Sequence, residues 1–150
     1  MVYSTWIVVA HDAGARFFEN HGRGTGLELV EEIEHPEGRA RDRDMASDRP
    51  GRAFRKNSSD PSRASMSQSE GPHDRAVSDF ARALADKLKD GRVQNRYWRL
   101  VLVAPPRFLG LLRSALDGPT AKLVTGSLDK DLAASKTSEL VERLDEVIKL

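Results

Sequence analysis

The chain lacks cysteine altogether, and it lacks any apolar run long enough to cross a membrane. Without cysteine it can form no disulfide, no thiolate metal site and no cysteine nucleophile. No stretch approaches the ~20 apolar residues that a membrane helix needs. The first ten residues also lack the basic start and the small-residue cleavage site of a secretory signal. We therefore expect a cytoplasmic protein without membrane insertion.

The chain also lacks a strong overall charge, since its formal net charge is only +1 over 150 residues. An interaction with nucleic acid would therefore have to come from local charge. The length fits a single domain over residues 1–150, and a domain of this size can build a hydrophobic core without disulfides or a structural metal. Hydrophobic residues make up 39% of the chain and charged residues 31%, and the polar excess is concentrated in one stretch described below.

Three short runs rich in β-branched and aromatic residues open the chain, at residues 5–10, 15–19 and 27–33. The first has apolar residues on both faces, which is typical of a central strand covered on both sides. Residues 11–14 and the glycine-rich stretch 20–26 have the composition of tight turns. This pattern predicts an antiparallel three-stranded meander. In its third strand, simple alternation places one set of side chains on one face: Leu27, Leu29, Glu31 and Ile33.

After a long polar stretch, the second half of the chain alternates helix and strand. Apolar residues at helical spacing predict a first helix that ends at Gly91. A buried strand follows at 98–104. Pro105 and Pro106 can open a second helix, which Gly118-Pro119 would close. A strand at 121–125 and a last helix from Ser135 or Thr137 complete the series. The helix and core residues predicted from this pattern are Val77, Phe80, Ala81, Leu84 and Leu88, with Trp6, Phe17, Phe18, Trp98 and Phe108.

The order β-β-β, long loop, α-β-α-β-α predicts an α/β fold with a mixed five-stranded sheet. The loop covers residues 35–72, and its length and polar composition lead us to expect a flexible, arginine-rich segment. Between residues 49 and 56 it carries four cations and no acid. Arginine recognises phosphate through two parallel hydrogen bonds, so the loop is a candidate for binding RNA or another partner. The alternative is a solvated loop. The candidate binding residues are Arg39, Arg41, Arg43, Arg49, Arg52, Arg55 and Lys56.

A possible second site lies just after the first predicted strand, at His11 and Asp12 with Arg16 nearby. Functional residues gather at such strand ends, where a histidine and an aspartate can form an acid-base pair. A local hydrogen bond within the turn is the simpler interpretation. The remaining histidines have no ligand spacing along the chain, so the sequence predicts no metal site and no cofactor.

Several segments in order resemble the bacterial host-attachment protein family, which is similar to the middle domain of archaeal and eukaryotic peptide release factors. They are residues 5–10, 12–16, 35–39, 47–52, 100–106, 109–110, 112–113 and 130–132. The resemblance implies an α/β fold like that middle domain. It also implies that the long loop lies where release factors carry the Gly-Gly-Gln tip that helps to hydrolyse the ester between peptide and transfer RNA.

The chain departs from release factors at that tip, because Gly-Gly-Gln occurs nowhere in it. The only glutamine of the loop, Gln68, lies between two serines, and without the glycines the backbone cannot readily adopt the required dihedral angles. The leading hypothesis is therefore a non-catalytic module that engages ribosomal or transfer RNA through the loop. The alternative is an attachment-related structural or interaction protein that acts through a protein partner. A hydrolase that uses His11 and Asp12 ranks last.

Overall fold

The computed structural model describes residues 4–39 and 71–150, and its centre is a mixed five-stranded sheet. The spatial order of the strands is β3-β2-β1-β4-β5. Strands β1, β2 and β3 pair antiparallel, whereas β1, β4 and β5 pair parallel. The α/β fold with a mixed sheet that the sequence predicts is confirmed. The strands are β1 Thr5–His11, β2 Gly14–Asn20, β3 Glu28–Glu34, β4 Arg99–Val103 and β5 Val124–Leu128.

Four α-helices accompany the sheet within the described residues. A short 3-10 helix at Pro36–Arg39 follows β3, and another at Leu144–Glu146 extends the last α-helix. The first of these lies inside the stretch for which the sequence predicts no regular structure. The α-helices are α1 Pro72–Val93, α2 Pro106–Ala115, α3 Gly118–Ala121 and α4 Thr137–Arg143.

Apolar side chains cover both faces of β1 because helices pack on both sides of the sheet. Val8 belongs to the cluster beneath α1 and α2, whereas Ile7 and Val9 belong to the cluster beneath α4. All five α1 residues predicted to face the core are buried. Burial of each large apolar side chain contributes roughly 1.5–3 kcal/mol, so these two clusters supply the main driving force for folding.

Gly91 does not end α1 as the sequence predicts, because the helix continues to Val93. The glycine is buried, and a Cβ there would lie 2.9 Å from the ring of Trp6. That ring stacks on Tyr97 with centroids 4.8 Å apart. The left-handed conformation falls instead on Asn95, with φ 56. Close packing against Trp6, and not a turn, is therefore what requires glycine at this position.

Tyr97 is buried beside Trp6, and its hydroxyl donates a hydrogen bond to the carbonyl of Leu88. Burial raises the pKa of Tyr97 to about 12, because the charged phenolate would lose its hydration. Trp98, predicted to lie in the core, is instead 41% exposed, with the guanidinium of Arg99 4.2 Å above its ring. Tyr97 and Trp98 both precede β4, which begins at Arg99, so the burial expected of a central strand does not extend to Trp98.

A register shift opposite Phe17 and Phe18 changes which side of β3 faces the core. Phe17 pairs with Glu31 and Phe18 with Leu29, so Val30 is the extra residue of a bulge. The predicted alternation is therefore wrong in this strand. Val30 packs against the α1 side of the core, whereas Leu29 is 50% exposed.

Between α2 and β5 lies a short helix, α3, that the sequence does not predict. Gly118-Pro119 does not close α2 but forms the first turn of α3, where Asp117 accepts a hydrogen bond from the Thr120 amide. Hydrogen bonding by the Thr120 side chain holds the pKa of Asp117 below its usual value. Because α3 occupies residues up to Ala121, the last strand begins at Val124 and not at residue 121.

Candidate functional site

A polar pocket of about 360 Å³ opens at the carboxyl end of β1. His11 ends β1, Gly14 lies opposite it on β2, and Glu34 lies opposite Gly14 on β3. A Cβ on Gly14 would lie 2.9 Å from the carbonyl oxygen of Ile33. Only glycine therefore fits here without a shift of the backbone, and His11, Gly14 and Glu34 all line the pocket. The volume falls in the lower part of the range of small-molecule sites.

Arg16 forms one wall of the pocket and fastens β2 to the chain before α4. Its Nη2 donates to three backbone carbonyl oxygens, at 3.2 Å to Leu132, 2.7 Å to Ala133 and 2.9 Å to Ser135. The guanidinium also lies 5.3 Å from the ring of Phe18. These contacts occupy this nitrogen, so Arg16 acts here as a structural clamp.

Three carboxylates stand on the rest of the pocket wall. Glu32, Glu34 and Asp131 line it and are exposed. His11 accepts a hydrogen bond at Nδ1 from the Ala13 amide, 3.2 Å away, which leaves the proton of a neutral ring on Nε2. With Arg16 bound to carbonyls, the pocket presents an excess of negative charge. It is therefore poorly suited to a phosphate group.

Asp12 is the centre of a second group of contacts, which we call the neck: Asp12, His35, Gly38, His73 and Phe80. His35 Nδ1 donates to the Asp12 carbonyl oxygen at 2.7 Å, and its ring stacks on Phe80 with centroids 4.3 Å apart. His73 Nε2 lies 3.7 Å from an Asp12 carboxylate oxygen. Gly38 is buried, and a Cβ there would overlap the Asp12 carbonyl, 1.7 Å away. The neck holds together the chain on either side of residues 40–70.

The site residues predicted from the sequence thus do not form one cluster in the structure. His11, Asp12 and Arg16 lie at the same end of the sheet, but with the separate roles just described. Arg39 is the last residue of the 3-10 helix Pro36–Arg39. The predicted loop residues Arg41, Arg43, Arg49, Arg52, Arg55 and Lys56 lie outside the described residues.

A group of possible metal ligands lies at the opposite end of the same strands. His21 Nε2 is 3.6 Å from Glu19 Oε1 and 3.6 Å from Glu28 Oε1, and one ligand atom from each residue fits within 4.8 Å of the others. Sequence spacing misses this group because Glu28 comes from the next strand. The cross-strand pairing of Glu19 with Glu28 is the feature that joins them.

Comparisons with known proteins agree on one family and one fold. A family model described as "Protein required for attachment to host cells" matches residues 6–144. The crystal structure of an archaeal translation termination factor is similar in fold, with a TM-score of 0.55 and 12% sequence identity. That likeness covers 97% of this chain but only 35% of the factor. No curated protein gives a significant sequence match. None of the helices within residues 4–39 and 71–150 has both the length and the apolar character to span a bilayer.

Proposed function

The chain belongs to the family described as proteins required for attachment to host cells, and from this premise we propose that it is a non-catalytic RNA-binding module. Its target in this proposal is ribosomal or transfer RNA, and its contact surface is the arginine-rich loop of residues 35–72. The likeness in fold to a translation termination factor supports the choice of target.

The observation that carries the proposal is the run 49–56, which has four cations and no acid within eight residues. Each arginine fork can donate two hydrogen bonds to one phosphate. Contacts of this kind fix position on the RNA backbone and do not read base sequence. We therefore expect binding that depends strongly on salt and only weakly on the RNA sequence.

The neck supports this assignment because it brings both ends of the loop to the same end of the sheet, beside the carboxyl end of β1. The 3-10 helix Pro36–Arg39 and the start of α1 at Pro72 flank the contacts around Asp12. The neighbouring pocket carries the carboxylates of Glu32, Glu34 and Asp131, which would repel phosphate. The proposal therefore assigns the RNA contact to the cationic stretch and none to the pocket.

Ribosome co-sedimentation over a salt series tests the proposal. The test variant combines Arg49→Ala, Arg52→Ala, Arg55→Ala and Lys56→Ala. A charge-matched control combines Arg23→Ala, Lys89→Ala, Lys122→Ala and Arg143→Ala, which removes four exposed cations elsewhere. If the four cations of the run neutralise phosphates, log affinity against log salt has a slope of roughly −0.7 to −0.9 per phosphate, and the test variant flattens it by about 3.

The proposal fails if the control variant loses as much affinity as the test variant, because the effect would then be one of net charge. It also fails if the wild-type chain does not sediment with ribosomes or bind transfer RNA even at low salt. That second outcome would favour the alternative, in which the chain acts in attachment through a protein partner. Circular dichroism of both variants checks that the fold is intact.

A further inference from the structure

We propose that Glu19, His21 and Glu28 form a binding site for a zinc-type divalent cation. The three residues lie at the β2–β3 turn, at the end of the sheet opposite the neck. Glu19 belongs to β2, His21 is the first residue after that strand, and Glu28 begins β3. This site is separate from the RNA-binding function proposed above and shares no residue with it.

The distances between the ligand atoms match the size of a zinc coordination shell. Zinc binds histidine nitrogen and carboxylate oxygen at about 2.0–2.2 Å, so two ligands of a tetrahedral ion lie about 3.4 Å apart. His21 Nε2 is 3.6 Å from an oxygen of Glu19 and 3.6 Å from an oxygen of Glu28. Two edges of the tetrahedron are therefore present. Small rotations of the exposed Glu28 side chain can close the third edge.

The pairing of β2 with β3 places two carboxylates side by side, and a cation bound between them would be stabilising. Glu19 and Glu28 are directly opposite each other in the β2–β3 ladder. Like charges in that position destabilise a sheet, and a cation between them removes the repulsion. A protonated His21 supplies one positive charge, whereas a divalent ion supplies two and binds the neutral ring. The alternative to a metal site is thus an ion pair between a protonated His21 and the two carboxylates.

A contact behind the imidazole ring gives His21 the support that a metal-binding histidine needs. Ser4 is buried, and its Oγ lies 3.4 Å from His21 Nδ1. Metal-binding histidines usually donate the proton of their second nitrogen to a fixed acceptor, which sets the tautomer and directs the other nitrogen at the ion. Here Ser4 occupies the acceptor position, and His21 Nε2 faces the two carboxylates.

The turn that carries His21 is held in place by Asn20, which is 3% exposed. The Asn20 side chain donates to the Gly26 carbonyl at 2.7 Å and accepts from the Gly22 amide at 3.0 Å. These bonds fix the path of the chain between two of the three ligands. The ordering that a metal must impose on binding is therefore small, and this preorganisation raises affinity.

The ligand set selects the class of ion. One imidazole nitrogen and two carboxylate oxygens suit zinc, whereas calcium and magnesium prefer shells of oxygen alone. Three protein ligands leave a fourth position for water on the solvent side. Cobalt(II) takes the place of zinc in such sites and gives them a visible spectrum, which makes it a useful probe.

Calorimetric titration of the untagged, chelator-treated full chain with zinc chloride tests the proposal, together with cobalt(II) absorption spectra. We expect one ion per chain and intense tetrahedral cobalt bands. His21→Gln and Glu28→Gln should each weaken zinc binding more than about 10-fold, and Ser4→Ala, which removes the acceptor behind the ring, by about 10-fold. Glu32→Gln removes a carboxylate from the same strand outside the site and should leave the affinity unchanged.

Three results would overturn the proposal. They are no zinc binding by the wild-type chain, equal affinity of wild type and His21→Gln, or the weak bands of six-coordinate cobalt. Thermal unfolding of each variant without metal shows whether the fold is intact. Because ribosome binding is measured on other residues, failure of the metal site leaves the RNA proposal untouched, and the reverse also holds.

Discussion

Histidines and carboxylates meet at both ends of this sheet, but with different partners. At the carboxyl end of β1, in the neck, His35 donates to a backbone carbonyl and stacks face to face on Phe80. At the opposite end, His21 is exposed, and its Nε2 faces two carboxylate oxygens at 3.6 Å. The first histidine is bound to the backbone and holds the chain together, whereas the second contacts surface side chains.

The difference shows that the residue types in a cluster do not decide its role. What decides it is whether the polar atoms already have partners in the fold. A half-buried donor bound to a backbone carbonyl stabilises the structure and is costly to remove, whereas exposed, mutually facing ligand atoms contribute little to stability and remain open to an ion. Stability measurements on paired variants can therefore separate the two ends.

The largest effect is expected for Gly38→Ala at the neck. A Cβ at this position would overlap the backbone of Asp12, which cannot rotate away. We expect the free energy of unfolding to fall by about 3 kcal/mol in chemical denaturation. Gly110→Ala is the matched control, because nothing lies within 4 Å of its Cβ and it lies inside α2, so it should gain about 0.5–1 kcal/mol. Equal effects of the two changes would contradict the description of the neck.

A somewhat smaller loss is expected for Arg16→Ala, which removes hydrogen bonds to three carbonyls. We expect a decrease of about 2 kcal/mol in the free energy of unfolding, in the range of bonds made by charged donors. Arg16→Lys keeps the charge but not the planar fork and should recover less than half of the loss. Full recovery with lysine would show that charge alone matters at this position.

The direct comparison of the two ends uses His35→Ala and His21→Ala without metal. The first removes a hydrogen bond and a stacked ring, so we expect a loss of about 1.5 kcal/mol. The second alters an exposed side chain, and its effect should stay within about 0.5 kcal/mol. If His21→Ala is the more destabilising change, the histidine is structural and the distinction between the two ends is wrong.

The mildest test is the response of the fold to alkaline pH. The folded-state pKa of Tyr97 is about 12, above the unfolded value of 10.0. The stability linked to this proton is therefore fully present below pH 10 and is lost as the pH rises towards 12. Absorbance titration at about 295 nm should show a step near pH 12 that Tyr97→Phe abolishes. Tyr3→Phe, which changes the only other tyrosine, should retain it.

Simple periodicity was enough to predict the sheet, the layers and the α1 face, because Val77, Phe80, Leu84 and Leu88 lie on one side of an uninterrupted helix. Periodicity failed at two positions, where a bulge and a helix cap interrupt the regular repeat of side chains. The bulge at Val30 moves the side chains of β3 by one position, and the Asp117 cap starts a new helical turn where the sequence predicts the end of α2. The bulge has no signal in spacing alone, since it depends on the pairing of β3 with β2. The Asp117 cap is local, because its partner is the amide of Thr120 three residues on, and apolar periodicity does not register such a cap.

The candidate sites could be predicted only in part. The end of β1 was identified from His11 and Asp12, but not the pocket, because Glu34 and Asp131 reach it from other segments. The Glu19, His21 and Glu28 group was missed for the same reason. Gly91 was assigned to a helix end because glycine favours both turns and close contacts, and only the position of Trp6 distinguishes the two.

The Arg16 clamp has a consequence for the order of events during folding. Its carbonyl partners lie 116 to 119 residues further along the chain. When the meander β1–β2–β3 leaves the ribosome during synthesis, these carbonyls have not yet been made, and neither has the parallel neighbour β4. Contacts of such long range form slowly because a large loop must close first. The nascent meander therefore exposes the apolar faces of β1 until the second half of the chain follows, and at this stage aggregation or chaperone binding competes with folding.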